Sequence, residues 1–69
     1  MSDRYYFQHR QAWIAETLRV FGFINREHIE RKFGISTPAS IDLAAFQKAN
    51  PEAISYNMSA KRYESRMPT

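Results

Sequence analysis

Cysteine is absent from this 69-residue chain, so neither a disulfide framework nor a thiolate zinc site can supply stability. Glycine occurs only twice, which leaves no glycine-rich phosphate loop and no nucleophile elbow. No apolar run approaches the roughly 18 residues that span a bilayer. The opening segment, MSDRYYFQHR, lacks the apolar centre of a secretory signal. The only histidines, His9 and His28, are far apart, and the spacing His28-x-Glu30 does not bring both side chains to one helical face. These absences speak against an enzyme, a metal site, a cofactor and a membrane protein, and they lead to the expectation of a cytoplasmic protein.

What the chain does have is aromatic surface. Five Phe, four Tyr and one Trp make up 14% of the residues, a way to bury large area per residue in a chain barely long enough for one core. The expectation is a single folded domain over residues 1–69, of marginal stability. The formal charge is +3 and the sequence pI about 9.6, which suits a polyanionic partner without requiring one.

Phe7, Ile14, Leu18 and Phe21 recur at helical spacing and predict a first helix from about Arg4 to Phe21, closed by Gly22. Phe23 and Ile24 suffice for a short strand. Asn25 can cap a second, short helix whose apolar stripe is Ile29 and Phe33 and whose stop is Gly34, after which Ile35 is expected to return to the core. Ser36 is a good cap for a third helix over Thr37 to Ala49, ended by Pro51. On that helix Ala39, Leu43 and Phe46 face inward, while Thr37, Ile41, Ala44 and Lys48 lie opposite. The period then changes to two: Ile54, Tyr56 and Met58 alternate with Ser55, Asn57 and Ser59, and after a polar turn Arg62, Tyr63 and Glu64 form the second strand of a hairpin. Pro68 belongs to a frayed end.

This order predicts a fold that is mainly α with a small β-hairpin: a winged helix-turn-helix of three helices plus wing. The segments Arg10-x-x-Trp13-Ile14, Gly22-x-Ile24-Asn25-Arg26, Phe33-Gly34-Ile35-Ser36, Ala39-Ser40-x-Asp42-Leu43, Ile54-Ser55-Tyr56-Asn57 and Lys61-Arg62-Tyr63 together resemble the N-terminal winged helix-turn-helix domains of bacterial WYL-domain transcriptional regulators, in the branch that controls phage defence. The resemblance runs from Arg10 to Pro68. It implies a regulator, usually a repressor, that binds an inverted-repeat operator in double-stranded DNA as a homodimer. The ligand-sensing and dimerising regions of that family have no counterpart in these 69 residues. Two positions depart from its pattern: the family usually has one more residue between Pro38 and Ala39, and the position of Ile41 is often polar or basic there.

Each candidate DNA contact has a plainer alternative. Ile41 can meet a thymine methyl, or pack against a neighbouring element. Thr37 and Ser40 can donate to phosphate or a base edge, or merely cap, and Ser36 is read first as a cap at the edge of the same face. Ala44 and Lys48 complete that face. Arg26 opens a helix against its dipole, which a phosphate would explain, or is simply solvated; Lys61 and Arg62 sit on the wing, where they reach a phosphate or the minor groove or merely decorate the surface. Asp42 would be repelled by DNA, so a structural ion pair with an arginine of the first helix is expected. Tyr5, Tyr6, Phe7 and Trp13 offer more aromatic surface than one small helix can bury, and a dimer contact would use it. A winged-helix protein-interaction module without DNA binding is the alternative function, since the fold does not fix it.

Overall fold

The computed structural model describes residues 3–66; the frayed end expected at Pro68 lies outside them. Its elements follow in the order α1 (Asp3–Phe21), β1 (Phe23–Ile24), α2 (Arg26–Phe33), α3 (Ala39–Ala49), β2 (Ile54–Asn57) and β3 (Arg62–Ser65). The last strand is central in an antiparallel sheet of order β1-β3-β2. Phe23 lies opposite Glu64 on one side of β3, and Tyr56 opposite Tyr63 on the other. The two-residue β1 thus ties the wing back to the helices, a pairing the hairpin pattern alone did not reveal.

The helices close over one core of Ile14, Leu18, Ile24, Ile29, Ala39, Leu43, Phe46 and Ile54, with Trp13, Phe33 and Tyr63 packed at its margin. Every element except β3 supplies at least one of the eight, so losing any of them opens the centre. Gly22 follows α1 at φ +83°, a left-handed turn in which its N–H bonds Leu18 O at 2.9 Å and its carbonyl accepts from Ser65 N at 2.8 Å. The chain therefore leaves α1 directly into the sheet.

A charged pair joins the outer helices. Asp42, 1% exposed, accepts from Arg10 Nε at 2.5 Å and from Nη2 at 3.3 Å, and Gln11 Nε2 donates to the Asp42 carbonyl at 2.8 Å. This is the ion pair expected between Asp42 and the first helix, and it fixes α3 against α1.

Five local expectations are corrected. The third helix starts at Ala39 rather than Thr37, because Pro38 disfavours helical geometry in the residue before it. Pro38 itself is the capping position, with no side-chain cap bond, so Ser36 does not cap. Ile35 does not return to the core: it is 87% exposed, since Gly34 adopts φ 115° and ψ 153°, a region essentially reserved for glycine, and turns the chain outward. Phe21 is 68% exposed, lining an open groove between α1 and α2 with Trp13, Thr17 and Lys32, because the turn at Gly22 carries the chain away from that side. Met58, expected in the strand alternation, falls in the hairpin loop, where the Asn57 side-chain oxygen accepts from Ala60 N at 3.0 Å and ends the strand.

Candidate nucleic-acid interface

α2 begins with a reciprocal cap. Asn25 Oδ1 accepts from His28 N at 3.1 Å, and His28 Nδ1 accepts from Asn25 N at 3.3 Å, so histidine occupies the place usually taken by Glu or Gln. The cap sets where Arg26 leaves the helix. Arg26 is 65% exposed and meets Glu30 at 3.5 Å, one turn along. A pair of that kind in solvent is worth little, so the guanidinium can exchange Glu30 for another anion.

At the far end of the chain the wing reaches the same region. A four-residue loop joins Asn57 to Arg62, and its last residue, Lys61, takes φ 56°, placing an exposed lysine at the turn. Arg62 is engaged within the sheet: its Nε donates to Glu64 Oε2 at 2.9 Å and its guanidinium carbon lies 4.4 Å from the Phe23 ring centroid. Asn57 Nδ2 also donates to Glu64 Oε2, at 3.2 Å. Arg62 thus braces β1 against β3 and is half-buried, whereas Lys61 projects beyond it.

Arg26, Ser40 and Lys61, from α2, α3 and the wing, line one open cleft of about 510 Å³ together with Asn25, Tyr56 and Tyr63. The two tyrosines meet edge to face at 4.8 Å between centroids. Sequence reasoning placed Tyr56 in a strand and missed it as a lining residue; its alternation with Ser55 and Asn57 was the right signal for a strand but could not tell which face is covered. One acid, Glu27, stands at the rim.

Ser40, Ile41, Ala44 and Lys48 are exposed on α3, opposite the buried Ala39, Leu43 and Phe46. Thr37 is half-buried in the turn ahead of α3, its N–H bonded to Gly34 O at 3.0 Å, and Ser36 is exposed beside it. The structure therefore groups Arg26, Ser40 and Lys61 around the cleft and sets Ile41, Ala44 and Lys48 along the outer side of the helix.

The aromatic residues expected at a dimer contact divide. Tyr5 and Tyr6 are exposed and pack edge to face at 5.4 Å, with Tyr5 stacked on His9 at 6.4 Å. Phe7 is half-buried. Trp13 packs on the margin of the core, edge to face with Phe33 at 5.6 Å.

The model of the BrxR transcriptional regulator winged helix-turn-helix domain matches residues 7–67, which takes in α2, α3 and the whole sheet. The chain belongs to this family. It is thus a winged helix domain of a family of transcriptional regulators, as the resemblance implied. Among relatives, the DNA-binding transcriptional repressor CapW of Escherichia coli (strain KTE188) is 41% identical over 59 residues, covering 84% of this chain and 20% of the relative. A second CapW, from Escherichia coli, aligns with the same figures. The chain spans about a fifth of the length of these curated relatives. Among the described residues, no helix is long and apolar enough to cross a membrane.

Proposed function

We propose that this BrxR-family domain binds double-stranded DNA and serves in transcriptional repression, with α3 in the major groove and the wing against the backbone or minor groove. The observation that carries this reading is the convergence of Arg26, Ser40 and Lys61 on one cleft beside the exposed side of α3. In helix-turn-helix proteins the helix before the reading helix crosses the backbone, so a cation at its start meets phosphate while the next helix meets base edges. Arg26 and Lys61 hold phosphates and Ser40 donates to one. Thr37, Ile41, Ala44 and Lys48 face the bases or their flanks, Ser36 lies at their edge, and Arg62 keeps the wing in position. Asp42, which would repel the DNA, is sequestered by Arg10. The repressor activity of the CapW relatives, 41% identical, supports the same direction.

Two copies would bind an inverted repeat as a homodimer, with Tyr5 and Tyr6 of α1, flanked by Phe7 and Trp13, as the contact surface. Exposed aromatic surface at one end of so small a domain favours an interface. Selection of random duplex DNA by the chain at near-physiological salt tests the whole reading. An enriched inverted repeat with half-sites about one helical turn apart is expected. Failure to enrich any sequence, with tight salt-insensitive capture of a protein through the Ile41 and Ala44 side of α3, would favour the interaction-module alternative.

A further inference from the structure

The outer side of α3 is poor in the groups that identify bases by hydrogen bonding. Bidentate recognition of guanine or adenine uses Arg, Lys, Asn or Gln, and none of these stands between Ala39 and Phe46. Gln47 and Lys48 enter only in the last turn. The single ionised group of the first turns, Asp42, is buried against Arg10. What the first turns expose is Ser40, Ile41 and Ala44. At about 100° per residue these share one sector of the helix with Lys48, and Ile41 is 69% exposed there.

The major groove offers one apolar group on a base edge, the C5 methyl of thymine. Resting on the DNA-binding reading above, we propose that Ile41 is the specificity-determining residue of α3 and reads a thymine methyl, with Ala44 extending the same apolar surface. The half-site then holds a thymine beneath the first turns of α3, and discrimination comes from a methyl contact where other readers use a forked hydrogen bond. Ser40, beside Ile41 and at the edge of the phosphate cleft, sets the helix on the backbone so that this contact is made.

The first part of the test needs no change to the protein. In the duplex chosen by selection, each thymine of the half-site is replaced in turn by uracil, which pairs identically but lacks the methyl, and affinity is measured by fluorescence anisotropy. One position per half-site is expected to lose about fourfold or more, the worth of one methyl-sized group leaving apolar contact. The variant Ile41→Ala, whose folding is checked by its melting curve, is expected to bind the thymine duplex more weakly and to lose its sensitivity to uracil at that position. Sequence-specific binding that is indifferent to uracil everywhere overturns the methyl proposal and leaves the DNA reading standing. Sensitivity that survives in Ile41→Ala assigns the contact to another residue and overturns the role of Ile41. A chain that binds no duplex at any salt concentration overturns both.

Discussion

An aspartate on a helix that faces DNA would oppose binding unless its charge were held elsewhere, and Asp42 meets that condition. It is buried, and Arg10 answers both of its oxygens. Removing one member of such a pair strands the other charge, at a cost of about 3 kcal/mol or more. A domain of this size holds only roughly 3–10 kcal/mol in total. Asp42→Ala should therefore cost most of the stability in urea unfolding, whereas the double change Arg10→Met with Asp42→Leu should recover most of it. Equal losses in single and double variants would show that packing, and not the stranded charge, is what Asp42 provides. The pair was legible because an acid beside an apolar stripe needs a partner and the first helix carries arginines. The exposure of Ile35 was not: apolarity predicts burial, but the backbone of Gly34 decides the direction, and a sequence does not print a φ of 115°.

At the scale of elements, capping accounts for what was readable and what was not. Asn25 and Gly22 lie where the periodicity breaks, and each does at its helix end what its side chain or lack of one allows. Asn25→Ala removes a cap worth about 1 kcal/mol, which in a domain this small should lower the melting temperature by roughly 4–8 °C; a shift below 1 °C would mean that the His28 side of the cap suffices. The start of α3 was misplaced because Ser36 fits a cap by type, yet Pro38 controls the geometry of Thr37. The wing was legible as a period-two pattern between turn residues. Its attachment to β1 was not, since two residues, Phe23 and Ile24, carry no register information until Glu64 and Tyr63 are placed opposite them.

For the whole molecule, a net charge of +3 says less than where the cations go. Arg19 pairs with Glu16 and Arg10 with Asp42, and Arg62 is held by Glu64 and Phe23, while Arg26, paired only through solvent-exposed contact with Glu30, and Lys61 reach one cleft from well-separated parts of the sequence. The ordered segments made the family readable, and the match over residues 7–67 shows it. The cleft itself was only half readable: Arg26, Ser40 and Lys61 were each candidates, but their meeting depends on how α2, α3 and the hairpin pack, and Tyr56 joined them unforeseen.

The most direct test of this account is the salt dependence of duplex binding, measured for the unaltered chain and for Arg26→Ala and Lys61→Ala. Phosphate contacts make log affinity fall linearly with log salt, by about 0.9 for each phosphate neutralised. Each substitution is therefore expected to flatten the slope by about that amount per protomer and to weaken all sequences alike. Slopes unchanged in both variants would contradict the assignment of this cleft to the DNA backbone.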